Sequence, residues 1–194
     1  RAVDTSGNNN HGQIYSGRAL EFDGITDYLD IGATTTLVDF SAETTQANRA
    51  WTVAAWINID QQDLGYDSNV IGINTAVSSG YLGISSAGAK LQLWDNGGGG
   101  AWRQSNTTLN INTWHRALWV FDGDTTITFY LNGVADGTGE IDNTGAFADL
   151  TTRYLGGRFS SGVAGTTRFF KGKMADLQLW QGAFTADDAS YDYL

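Results

Sequence analysis

The chain has 194 residues, is 41% hydrophobic and carries seven Trp, eight Tyr and nine Phe, enough apolar material for the core of one domain. It has no Cys, which excludes disulfides, thiol catalysis and Cys-ligated zinc, and no Pro, which leaves its turns to Gly, Asn and Asp. Its formal charge of −10 opposes a nucleic-acid partner, and no stretch approaches the ~18 apolar residues of a membrane helix.

Period-2 alternation runs through the chain. Leu20 and Phe22 alternate with Glu21 and Asp23. Trp51, Val53, Ala55, Ile57 and Ile59 share one strand face, with Thr52, Trp56 and Asn58 on the other. A large ring at Trp56, opposite an apolar face, predicts a strand covered on both sides. Val70-Ile71-Gly72-Ile73 and Tyr81-Leu82-Gly83-Ile84 read as two short strands around a turn at Ser78-Ser79-Gly80. Leu91 and Leu93 lead into Trp94, and Trp114 to Phe121 is a long strand closed by Asp122-Gly123-Asp124. Ile127, Phe129 and Leu131 then alternate with Thr128 and Tyr130 up to Asn132-Gly133, a pair that favours a tight hairpin. Tyr154-Leu155 and Arg168-Phe169-Phe170 continue the pattern, and Ala175, Leu177 and Leu179 give the last strand. Thr185-Ala186-Asp187-Asp188 is the best helix signal, a hydroxyl cap followed by acids in the first turn. The expectation is an all-β chain of about a dozen strands with one or two helical turns. It forms a single domain over 1–194, cut from a longer or processed chain because Arg1-Ala2-Val3-Asp4 holds neither an initiator Met nor a signal-peptide core.

Six segments, in order, resemble the laminin-G-like domains of the concanavalin A-like superfamily. They are Asp4-Thr5-Ser6-Gly7-Asn8-Asn9-Asn10-His11-Gly12, Arg18 to Gly24 with Asp27-Tyr28-Leu29, Trp51 to Ile57, Trp114 to Gly123, Phe129 to Gly133, and Met174 to Trp180 with Ala183-Phe184-Thr185. The resemblance implies a jelly-roll β-sandwich of two antiparallel sheets and a tendency toward calcium and glycan or protein binding. Arg116 stands where that family often has His, and Ala175 where it often has Asp, with Asp176 one place later.

The acids bear on function. Eighteen are Asp and three are Glu, a balance that favours acidic loops over helices and suits hard cations, chiefly calcium. Three clusters can supply oxygens: Asp60, Asp63, Asp67 and Asn69; Asp136, Glu140, Asp142 and Asn143; and Asp4 with Asn8 and Asn10, joined by Asp176. Jelly-roll glucanases use paired carboxylates on one strand, ~5–5.5 Å apart when retaining. Glu21-Phe22-Asp23 begins such a pattern, but Thr26 stands where the second Glu belongs. Two His, at 11 and 115, cannot build a three-His zinc site, and no Gly-x-Ser-x-Gly elbow occurs.

Trp94, Asp95 and Asn96, with Trp102 and Arg103, flank the glycines at 97–100 and form the candidate ligand set. An indole face stacks on a sugar ring or peptide side chain, while Asp, Asn and Arg bond hydroxyls or a carboxylate. The bland reading of the two indoles is that they simply cover a sheet. The expected function is a calcium-dependent extracellular binding module, not an enzyme, that takes a glycan or peptide on a cell surface, as a bacterial adhesin domain does. The alternatives are an attachment module of a phage particle and a lectin-like accessory domain of a glycosidase. The isolated domain is expected to be monomeric and not to insert into membranes.

Overall fold

The computed structural model describes residues 19–32, 50–61, 68–74, 79–95, 101–140, 152–157, 159–160, 163–164 and 168–194. Two six-stranded antiparallel sheets dominate. The first, in the order β1-β14-β3-β8-β9-β10, joins Leu20–Asp23, Lys171–Gln181, Trp51–Ile59, Trp114–Phe121, Thr126–Leu131 and Val134–Glu140. The second, in the order β2-β11-β4-β5-β6-β7, joins Leu29–Gly32, Thr152–Leu155, Ser68–Asn74, Ser79–Ile84, Leu91–Asp95 and Ala101–Gln104. A short pair, β12 (Phe159–Ser160) and β13 (Val163–Ala164), and one helix, α1 (Ala186–Tyr193), complete the described elements. This is the all-β, jelly-roll sandwich of the concanavalin A-like kind.

The alternation builds the core as expected. Trp51, Val53, Ala55, Ile57 and Ile59 of β3 lie buried between the sheets with Ala117, Trp119 and Phe121 of β8 and Leu82, Leu91 and Leu93 of the second sheet. Trp119 links the layers directly, its indole Nε1 donating to the Gln92 carbonyl at 3.0 Å. Between β9 and β10, Asn132 (φ 52°) and Gly133 (φ 79°) form the tight hairpin turn.

The opposite face of β3 is also covered. Ala54, Leu118, Val120 and Tyr130 pack beneath Ala189 of α1, with Phe184 alongside. Thr185 caps the helix through a capping box with Asp188, in agreement with the sequence signal. Burial raises the Tyr130 pKa, and the charge of Asp188 adds to the rise. Buried Thr52 stitches down the approach to the helix: its hydroxyl donates to the Gly182 carbonyl and accepts from the Phe184 N–H.

Arg168-Phe169-Phe170 departs from the expected strand. Arg168 sits at φ 82°, which breaks an extended run, although Phe169 and Phe170 are buried and the Phe170 N–H donates to the Gly156 carbonyl.

Candidate functional site

The outer face of the second sheet carries the candidate site. Antiparallel register sets Tyr81 of β5, Trp94 of β6 and Trp102 of β7 side by side. Leu82 and Leu93, their chain neighbours, enter the core, so strand alternation turns the three rings to the outside. The ring centroids of Trp94 and Trp102 lie 4.4 Å apart, and those of Tyr81 and Trp102 lie 5.4 Å apart and edge to face. Tyr81 is fully buried, whereas Trp102 keeps 39% of its surface exposed. Arg168 covers Tyr81, with its guanidinium 5.6 Å from the ring centroid and Nη1 donating to the phenol oxygen.

Beside Trp102 lies a shallow depression of about 420 Å³, floored by Gln92 and Gln104 and rimmed by Ser85, Ser86 and Ala87. Gln92 and Gln104 share the Trp102 face, because strand residues two apart project the same way. The buried Gln92 amide donates to the Ile84 carbonyl, and its oxygen accepts from the exposed Gln104 amide, each at 3.4 Å. The rim is held by Ser85, whose hydroxyl donates to the Ala87 carbonyl and accepts from the Lys90 N–H. An exposed indole beside the exposed Gln104 amide offers a stacking surface together with a donor and an acceptor.

The structure divides the predicted ligand set. Trp94 and Trp102 share one face, with Trp94 backing Trp102 rather than lining the depression. Arg103 is not part of that face. As the strand neighbour of Trp102 it projects the other way, where its Nε donates to the Glu140 carbonyl and ties the edge of the second sheet to β10. Asp95 ends β6, its side chain is not among those described, and Asn96 lies outside the described residues. Gln92, Gln104 and Ser86 were missed by sequence reasoning. The signal for the two glutamines was alternation with Trp94 and Trp102.

The predicted metal ligands separate as well. Asp136 is buried, accepting from the Thr107 hydroxyl at 2.7 Å and the Thr107 N–H at 3.2 Å. The Asp176 carboxylate lies 3.2 Å from Nη1 of Arg116 and accepts from the Gln178 amide. Both carboxylates are thus engaged with protein donors, and among the described residues no three His, Asp or Glu groups converge as a metal site. Asp4, Asp67 and Asp142 lie outside the described residues, and Asn69 belongs to β4, its side chain not among those described.

Glu21 and Asp23 also have structural partners. Glu21 lies 3.8 Å from the Lys173 ammonium. The Asp23 carboxylate accepts from the Thr26, Ile25 and Asp27 N–H groups and the Thr26 hydroxyl, and these bonds hold it ionised well below the usual carboxylate range.

Arg116 shows what its departure from the family pattern does. Its side chain is fully buried beneath α1, with Nε and Nη2 making paired bonds of 2.6 and 2.7 Å to Asp192 and Nη1 donating to the Asp176 carbonyl at 2.9 Å. A local irregularity in the pairing of β14 with β3, where Asp176 takes φ 47°, brings that carbonyl within reach.

Two stacked antiparallel sheets define a β-sandwich of the lectin-like, jelly-roll kind. The chain belongs to the concanavalin A-like lectin/glucanase superfamily, whose laminin-G-type model matches residues 23–190. Solved structures share the fold at low sequence identity. A native heptameric SAP-like pentraxin from Limulus polyphemus is 18% identical with a TM-score of 0.64, covering 90% of this chain and 80% of its own. The CBM40 domain of a Ruminococcus gnavus IT-sialidase, bound to α2,3-sialyllactose, is 13% identical with a TM-score of 0.66, over 91% of this chain and 97% of its own. Domain 4 of AbnA, an extracellular GH43 arabinanase from Geobacillus stearothermophilus in complex with arabinotriose, is 14% identical with a TM-score of 0.66, over 91% and 76%. No curated protein sequence matches at a significant level.

Proposed function

We propose that the chain is a non-catalytic saccharide-binding module whose ligand lies in the depression beside Trp102. One observation carries this reading: a half-exposed indole, backed by Trp94 and Tyr81, stands next to the Gln92–Gln104 amide pair on one face of a sheet. The indole takes the C–H-rich face of a sugar ring, while the exposed Gln104 amide, held by the buried Gln92, bonds ring hydroxyls, each of which both donates and accepts. The fixed sheet holds these groups before the ligand arrives, so little ordering cost is added on binding. The two sugar-bound domains of the same fold lend support by analogy. Such a module holds a larger body against a sugar-bearing surface, as adhesin domains and the accessory domains of glycosidases do.

A glycan array followed by isothermal titration tests the reading. Trp102→Ala is expected to weaken the best array ligand by about tenfold or more, the loss typical of a central aromatic contact, with an unchanged circular dichroism spectrum. Undiminished binding by this variant, or an array with no ligand at all, overturns the proposal. Repeating the titration in chelator tests the calcium dependence expected from the acidic loops.

A further inference from the structure

We infer that the saccharide taken by this depression is neutral: a sugar read through its hydroxyl groups, not through a carboxylate, sulfate or phosphate. The inference rests on the saccharide-binding reading and adds the ligand's charge.

Three observations carry it. First, among the described residues the lining is Ser85, Ser86, Ala87, Gln92, Trp102 and Gln104, every one of them uncharged. Amides and hydroxyls match a sugar hydroxyl, which gives and receives a hydrogen bond. An anionic group only accepts, and desolvating it without a counter-charge is costly. Second, the two guanidiniums beside the aromatic platform are committed elsewhere, and Lys90, between the rim and Gln92, is not among the lining residues. Arg103 turns to the other side of β7 and donates to the Glu140 and Trp102 carbonyls. Arg168 donates to the Tyr81 phenol and lies over its ring, with Tyr81 fully buried. Both guanidiniums therefore build the platform under and beside Trp102. Third, the chain carries a formal charge of −10, so its long-range field disfavours the approach of anions.

The test uses matched pairs that differ in charge: lactose against sialyllactose, and galactotriose against trigalacturonate, titrated at low and high salt. The neutral member of a bound pair is expected to bind about tenfold more tightly at low salt, with the gap narrowing as salt screens the protein's field. Gln104→Lys, on an exposed edge position, is expected to narrow or reverse the gap by supplying a cation at the floor. Tighter binding of the acidic member by the unaltered chain overturns the inference and leaves the saccharide reading standing. An unaltered gap in Gln104→Lys overturns the placement of the ligand at this floor. Failure of every saccharide, here and on the array, overturns both readings together.

Discussion

The two outer faces of the sandwich are finished differently. On the first sheet, α1 lies over Ala54, Leu118 and Val120, and a buried guanidinium pins the helix down. On the second sheet, Trp102 and Gln104 remain exposed at the edge beside a shallow depression. Both faces come from the same strand alternation, so alternation alone does not decide which becomes a binding surface. The decision lies in the segment after β14, where a capped helix closes one face and makes its interactions with protein. The other face leaves Trp102 and Gln104 in solvent.

The comparison breaks most severely at Arg116. Arg116→Ala removes one partner of a buried ion pair and is expected to cost about 3–5 kcal/mol in urea denaturation, leaving Asp192 without its counter-charge. Saccharide binding by the molecules that remain folded is expected to be unchanged. A loss of less than about 1 kcal/mol contradicts the pinning role, because that is the value of a solvent-exposed pair.

Gly133→Ala ranks second. The residue has a φ of 79°, and an added Cβ would stand 3.1 Å from the Cβ of Tyr193 and 3.3 Å from the Cα of Ser190. Backbone strain and displacement of α1 together are expected to cost about 1–3 kcal/mol. Thermal unfolding measures the loss, and Gly88→Ala, at φ 81° with 3.8 Å to its nearest neighbour, is expected to cost less because only strain applies there.

A smaller effect appears with pH. His115 is buried against the Asn110 backbone. Burial lowers its pKa from the ordinary 6.5, against an opposing pull from the Asn110 backbone. The unfolded chain therefore takes up the proton more readily. The histidine's contribution to stability is present above pH 6.5 and declines as pH falls below it, through the folded-state value. Denaturant midpoints between pH 8 and 5 are expected to fall with pH, and His115→Gln is expected to flatten that slope.

The smallest stability effect belongs to the open face. Trp102→Ala is expected to cost no more than about 1–1.5 kcal/mol, since the ring sits on an edge strand with one side in solvent. The same substitution is expected to carry the large loss of saccharide binding. A variant that unfolds the domain instead would make Trp102 a core residue and erase the contrast between the faces.

Most of the architecture was legible because strand alternation is a local property. Trp51 to Ile59, Trp114 to Phe121 and the Asn132-Gly133 hairpin each appear in the structure as read, and Thr185 caps the helix it announces. The site was legible only in part. Trp94 and Trp102 were found as a pair, but Arg103 was grouped with them by proximity in sequence, although adjacent strand residues face opposite ways. Arg116 and Asp192 are far apart in sequence, and their pairing becomes visible only once α1 is folded onto the sheet. The same applies to Asp136, whose carboxylate is occupied by Thr107 from a distant loop.

The placement of α1 has a practical consequence. Leu194, almost fully exposed, ends the helix on the side of the sandwich away from Trp102. A label or bead attached at Leu194 would sit behind the domain and leave Trp102 and Gln104 pointing outward. The molecule is thus suited to oriented immobilisation, and an array or sensor built that way presents every copy with the same side toward the analyte.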